Sequence, residues 1–135
     1  MSNPIAVIGI DADEARKLKA LRIRTAERLL EAAKSPKGRQ QLHQQTGIDE
    51  KRLLSLANCA DRMRIKGVGK EYAAILPAVG VDTVKELKYR NPEKLAKAIA
   101  ELNKKRKLVR FLPTVNLVTR WIEQAKKLPL KITYR

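Results

Sequence analysis

The chain resembles itself at a shift of 58 residues, and this self-similarity limits the folds open to it. The recurring positions are mostly small, apolar or turn-forming, and would face a core or set a turn. They pair Gly9 with Gly67, Ala15 with Ala73, Leu18 with Leu76, Thr25 with Thr83 and Leu29 with Leu87. A helical unit of this size has too little core of its own, and two such units can bury each other's apolar faces. We predict a single domain of two repeats, over residues 5–57 and 58–128, followed by a basic tail over residues 129–135.

Short apolar stripes at helical spacing alternate with turn residues along the whole chain, which predicts an all-α fold. Asp11-x-x-Glu14 and Thr83-x-x-Glu86 have the spacing of capping boxes. In a capping box, the side chain of each of the two residues accepts a hydrogen bond from the backbone N–H of the other at a helix start. Pro77 lies inside a predicted helix over residues 71–79, so that helix either starts late or bends.

Two segments at the ends of the chain have a different pattern. Ile5-Ala6-Val7-Ile8 is apolar and mostly β-branched, and residues 130–134 alternate apolar and polar side chains. We expect both to form short extended segments that pair with each other.

The charge balance favours a polyanionic partner. The 135 residues carry 30 Lys and Arg against 14 Asp and Glu, a formal net charge of +16. Aromatic residues make up only 4%, fewer than a single-strand binder with stacking platforms uses. One Cys and one His exclude disulfide scaffolds and Cys/His zinc sites. No segment approaches the length of a membrane span and no signal-peptide core is evident, so we expect a cytoplasmic protein.

The segment Gly67-Val68-Gly69 is the most specific feature of the sequence. Two glycines permit a sharp turn with positive φ, and Val68 between them can plug into a core. The turn leads into the N-terminus of a helix, where free N–H groups and the helix dipole favour an anion. The flanking cations complete a predicted phosphate site and are Arg62, Arg64, Lys66 and Lys70.

The stretch Arg64-Ile65-Lys66-Gly67-Val68-Gly69-Lys70-Glu71-Tyr72-Ala73-Ala74-Ile75-Leu76 resembles a helix-hairpin-helix motif. The whole chain is also similar to a largely uncharacterised bacterial family of small domains with such hairpins. The resemblance implies two fused helix-hairpin-helix-like (SAM/HhH-like) units. It also implies that the amides of the Gly67–Gly69 hairpin contact backbone phosphates of duplex DNA, with Lys66 and Lys70 as charge partners. By the same resemblance, hairpin carbonyls would be able to hold a monovalent cation; no other cofactor is expected.

The first repeat departs from this pattern. Asp11 stands where the second hairpin glycine would be, and Asp13 and Glu14 follow it. Three carboxylates would repel a phosphate, so we expect the first hairpin to be structural.

A second basic group lies between residues 102 and 135, where ten cations face one acid. Its densest run is Lys104-Lys105-Arg106-Lys107, and Arg110 follows closely. A charge run is often only a solvated surface, but its uneven placement favours a surface that contacts a partner.

We find no arrangement of residues that supports catalysis, and we expect a protein that is not an enzyme. The sequence favours sequence-independent binding of nucleic acid, with duplex DNA preferred and RNA open. The alternative is a scaffold or assembly factor that docks on an acidic protein, a ribosome or an anionic membrane surface. In that alternative the hairpins are only structural, and Trp121 and Tyr134 serve as contact anchors.

Overall fold

The computed structural model describes residues 3–135, and over that range the protein is all-α. The chain divides into two units. One runs up to Asp61 and includes Lys131–Arg135, and the other is Arg62–Leu130. Within residues 3–135 no helix is both long and apolar enough to cross a membrane.

The first unit begins with a 3-10 helix over Ile5–Ile8. Its α-helices are α1 (Ala12–Ala20), α2 (Ala26–Ala33), α3 (Pro36–Thr46) and α4 (Glu50–Arg62, whose last residue belongs to the second unit). α2 packs on α3 and on the 3-10 helix, and α1 contacts α3.

The second unit contains α5 (Lys70–Ala78), α6 (Val84–Lys88), α7 (Pro92–Arg106) and α8 (Val115–Lys127). α8 packs against both α6 and α7, and brings the fully buried Trp121 into the unit. α5 contacts α7, which places the start of α5 near the chain that follows α7.

Side-chain caps explain where most of the helices begin. In each case a side-chain oxygen accepts a hydrogen bond from the N–H three residues later, satisfying a donor that has no partner inside the helix. The capping boxes expected at Asp11 and Thr83 are both confirmed. The other caps are Thr25, Ser35, Asn91 and Thr114. α5 differs, because its N-cap is Gly69 and no side chain caps it.

The local geometry of the first unit recurs in the second at the interval of 58 residues. α1 and α5 are both nine residues long and begin 58 residues apart. Gly9 and Gly67 both have positive φ, as do Arg22 and Gly80. The same hydrogen bond also closes each of these helices, from Ile23 N to Leu18 O and from Val81 N to Leu76 O.

The expectation that extended segments at the two ends pair with each other is wrong, and the N-terminal segment is not extended. Residues 5–8 form a 3-10 turn because its three-residue repeat places Ile5 and Ile8 on one side, where both are buried. No strand forms within residues 3–135, and the β feature there is an isolated bridge between Pro4 and Thr25. The C-terminal segment instead lies on the first unit, where Thr133 N donates to Lys34 O at 2.8 Å and Arg39 Nη2 donates to Thr133 O at 2.8 Å.

Pro77 lies in the last turn of α5, and Arg62 compensates for it. Proline has no N–H, so the carbonyl of Ala73, four residues earlier, loses its helical partner. The Arg62 Nε donates to that oxygen at 3.1 Å, and Arg62 Nη1 donates to Asp82 O at 2.7 Å. Arg62 is buried, so it has an internal role in place of the phosphate contact expected for it.

This pairing predicts that substitutions at residues 62 and 77 are coupled. Arg62→Met should lower the free energy of unfolding by about 2–3 kcal/mol, because it leaves buried carbonyls without a donor. In a Pro77→Ala background, the new N–H can bond to Ala73 O, and the same substitution should cost about 1 kcal/mol less. Chemical denaturation of the four proteins measures this. Arg64→Met is the matched control and should show no coupling to Pro77; equal costs of Arg62→Met in both backgrounds would contradict the assignment.

Candidate nucleic-acid interface

The Gly67–Gly69 hairpin is a tight turn held on α8. Val68 N donates to Ile65 O at 3.0 Å, and Gly67 has φ +93°, a conformation that glycine adopts without strain. Val68 is buried, as expected for the residue between the two glycines.

α8 fixes the backbone of this hairpin with one amide side chain. Lys66 N donates to Gln124 Oε1 at 2.9 Å, and Gln124 Nε2 donates to Lys66 O at 3.1 Å. The side chain therefore pairs with the Lys66 backbone as a neighbouring strand would. The Lys66 ammonium is left to the surface, because only the backbone of this exposed residue is used.

The two hairpin glycines have different structural roles. A Cβ on Gly67 would lie 3.1 Å from Nε1 of the buried Trp121, in addition to the strain of its positive φ. Gly69 has φ −90° and ψ −164°, which any residue adopts, and nothing lies within 4 Å of the place a Cβ would take. The expectation that both glycines serve the turn is therefore corrected: Gly67 forms the turn, and Gly69 leaves the start of α5 open.

The first turn of α5 is the part of this surface suited to an anion. By helix geometry the N–H groups of Lys70, Glu71 and Tyr72 have no partner inside α5, and no side chain of Gly69 covers them. The positive end of the helix dipole adds to their attraction for negative charge. The groove over this turn has a volume of about 320 Å³ and is lined by Gly67, Gly69, Lys70, Glu71, Tyr72, Val109 and Phe111.

One carboxylate lies in this groove, and Arg110 neutralises it. Arg110 N donates to Glu71 Oε1 at 2.9 Å, and its guanidinium lies 3.3 Å from Oε2. The backbone N–H of Arg110 is the main cause that lowers the pKa of Glu71, so the carboxylate is ionised at neutral pH. The fold thus brings Arg110 to the first turn of α5, where its charge balances Glu71.

The remaining cations divide into exposed and internally bonded groups. Arg64 donates through both terminal nitrogens to Pro129 O, at 3.3 and 3.2 Å. Lys66 and Lys70 are exposed beside the hairpin. The basic run is also exposed; Lys104, Lys105 and Arg106 occupy the last turn of α7, where they complement the helix dipole, and Lys107 ends the helix with φ +47°.

The equivalent helix start in the first unit is closed by its own side chains. Asp11 Oδ1 accepts from Glu14 N at 2.7 Å, and Glu14 Oε1 accepts from Asp11 N at 3.1 Å. Arg52 donates to both oxygens of Glu14 and to Gly9 O, and its hydrogen bond is the main cause that lowers the pKa of Glu14. An anion at this turn would have to displace carboxylates that already hold the amides.

Two carbonyls at the hairpin already accept hydrogen bonds. Ile65 O accepts from Val68 N, and Lys66 O accepts from Gln124 Nε2. Each carbonyl oxygen keeps a second lone pair, so the monovalent cation that the resemblance implies stays a prediction. Within residues 3–135 no group of three or more His, Cys, Asp and Glu residues could hold a metal ion.

Sequence reasoning missed Phe111, and the alternative that uses Trp121 as a contact anchor is wrong for that residue. Phe111 lines the groove, and its side chain is largely exposed. The sequence feature that could have identified it is that this aromatic residue lies in a basic segment, outside any amphipathic stripe. Trp121 is fully buried beneath the hairpin and packs 5.0 Å from the Tyr72 ring, so it cannot anchor a partner at the surface. Tyr134 is exposed, and its hydroxyl lies 3.3 Å from Asn58 Oδ1.

The different roles of the two glycines predict different responses to alanine. Gly67→Ala should lower the free energy of unfolding by about 2–3 kcal/mol, from positive-φ strain and the contact with Trp121. Gly69→Ala should cost less than about 1 kcal/mol, the difference between glycine and alanine at an N-cap. Thermal and chemical unfolding measure both, and a Gly69→Ala protein as unstable as Gly67→Ala would contradict the assignment.

A family model matches residues 8–128, which include the hairpin, the groove and all eight α-helices described above. No solved structure gives a significant match to the chain. Since the matched range covers most of the sequence, the chain belongs to the DUF4332 family, a domain of unknown function.

Proposed function

We propose that this protein binds nucleic acid without catalysing a reaction, through backbone phosphates seated on the first turn of α5. Duplex DNA is the favoured ligand. The observation that carries the proposal is the N-cap at Gly69, which leaves the amides of Lys70, Glu71 and Tyr72 uncapped in an open groove.

The chemistry of this turn suits a backbone phosphate. A phosphate diester presents two unesterified oxygens that can accept from neighbouring N–H groups at once, as other helix N-termini bind phosphates. Contacts of this kind are to the backbone of the nucleic acid and carry no base information. Binding should therefore depend little on sequence.

The exposed cations supply the long-range attraction that the amides alone cannot provide. Lys66 and Lys70 flank the turn, and Lys104, Lys105, Arg106 and Lys107 extend the positive surface of the same unit. Arg62 and Arg64 donate to backbone carbonyls and Arg110 pairs with Glu71, so we assign the direct phosphate contacts to the lysines. Because a backbone carbonyl is neutral, Arg62 and Arg64 still add to the positive charge of the unit. The resulting order of events is electrostatic capture followed by registration of a phosphate on the amides.

The contrast between the two hairpins gives a direct test at residue 69. Gly69→Asp should give α5 the cap that Asp11 gives α1, so the stability should equal or exceed that of the wild type by a few tenths of a kcal/mol. The same carboxylate would occupy the amides and repel phosphate. Affinity for a short duplex should fall roughly 10- to 100-fold, corresponding to the loss of charge-assisted hydrogen bonds.

Two variants serve as controls for this test. Gly69→Asn caps the amides without adding charge, and it should weaken binding by a smaller factor. Asp11→Gly should lower stability and leave affinity within about twofold, because the first hairpin does not contact the ligand. If Gly69→Asn binds as well as the wild type, the amides are not the phosphate site.

Salt dependence tests the electrostatic part of the proposal. If about five phosphates are neutralised, the log–log plot of affinity against salt should have a slope of roughly −4 to −5. Lys66→Gln with Lys70→Gln should make the slope shallower by about 2, with the fold intact. An affinity that does not change with salt would contradict the electrostatic part of the proposal. A hairpin-centred site would be contradicted if neutralising residues 104–107 abolished binding while the Lys66 and Lys70 substitutions left it unchanged.

A further inference from the structure

The loop after α7 is fixed by hydrogen bonds on its inner side while it presents a phenylalanine outward. Asn103 Oδ1 accepts from Val109 N at 2.9 Å, and Asn103 Nδ2 donates to Val109 O at 3.0 Å. The Tyr72 hydroxyl donates to Phe111 O at 2.8 Å. These contacts order the backbone of the loop through residue 111 without covering the Phe111 ring.

Phe111 is 77% exposed, although phenylalanine is among the residues most often buried. Its ring lines the same groove as Gly69 and Lys70, together with Val109. The next residue, Leu112, is 50% exposed. The groove is therefore lined both by residues that carry amides and a cation and by a residue with a flat apolar ring.

We propose that Phe111 stacks on a single unstacked base of the nucleic acid whose phosphate lies on the α5 amides. This inference rests on the function proposed above and names its preferred ligand: a duplex interrupted by one bulged base. The groove volume of about 320 Å³ lies at the lower end of the range for sites that hold a small-molecule-sized group.

The arrangement of charges favours a base over an apolar side chain from a protein. Lys70 lines the groove together with Phe111, and Lys66 is exposed on the adjoining hairpin. Arg110 is mostly exposed while it neutralises Glu71. A protein anchor would have to bring its own acids to satisfy these cations, whereas a nucleotide carries its negative charge next to its flat ring. Tyr72 also lines the groove, but it is half-buried and packs on Trp121, so Phe111 is the ring that is exposed for stacking. One exposed ring fits one base, not the run of bases that a single-strand channel stacks.

The test compares three labelled ligands of equal length: a continuous duplex, the same duplex with one bulged base, and a single strand. The wild type should bind the bulged duplex most tightly. Phe111→Ala should weaken that complex about 5- to 100-fold, the effect of losing one base–aromatic stack, and should leave the continuous duplex within about twofold. Phe111→Trp should restore the preference, and Phe111→Leu should not, because leucine offers no flat face.

Tyr89→Ala is the matched control, since Tyr89 is 74% exposed and does not line the groove. Tyr89→Ala should change none of the three affinities. The Phe111 and Tyr89 variants should unfold at the wild-type temperature, because both side chains are exposed. The inference is overturned if the wild type binds continuous and bulged duplexes equally while Gly69→Asp still weakens both; the proposed function then stands. If no ligand binds in a manner sensitive to Gly69→Asp, the proposed function fails as well.

Discussion

Gly67 lies over the indole of Trp121, and the second hairpin depends on this contact. The glycine allows the positive φ of the turn, and the missing Cβ allows the buried ring to approach. Gln124, on the same helix as Trp121, holds the Lys66 backbone from the side. α8 thus supports the hairpin at two positions. The hairpin then determines where α5 begins and which of its amides face the groove.

The two units share one local geometry at a helix start but differ in whether a side chain caps that start. At the first hairpin Asp11 and Glu14 satisfy the helix start, and Arg52 holds Glu14 in place. At the second, the glycine N-cap forgoes that side-chain bond and leaves the amides open. Asn, Asp and Ser stabilise a helix slightly more than glycine does at the N-cap position. The glycine N-cap therefore makes the second unit slightly less stable than a side-chain cap would. That difference is the physical basis for assigning a binding role to one hairpin and not to the other.

Most helix boundaries could be predicted from the sequence, because caps, prolines and apolar spacing act within a few residues. The capping boxes at Asp11 and Thr83 are examples. The roles of Arg62 and Arg110 could not be predicted, because each depends on a partner ten or more residues away that only the fold brings close. Gly69 and Gly67 look equivalent in sequence, and only their φ angles and surroundings separate them. The conformation of the loop that exposes Phe111 depends likewise on hydrogen bonds of its backbone with Asn103 and Tyr72.

The central claim is that uncapped amides at the start of α5 contact phosphate, and the amides themselves can be observed. In ¹H–¹⁵N spectra of the full chain, titration with a short duplex should shift the backbone signals of Gly69, Lys70, Glu71 and Tyr72 first and most. The signals of residues 11–14 should stay in place. Shifts confined to the side chains and amides of residues 104–107, with the α5 amides unmoved, would contradict the claim.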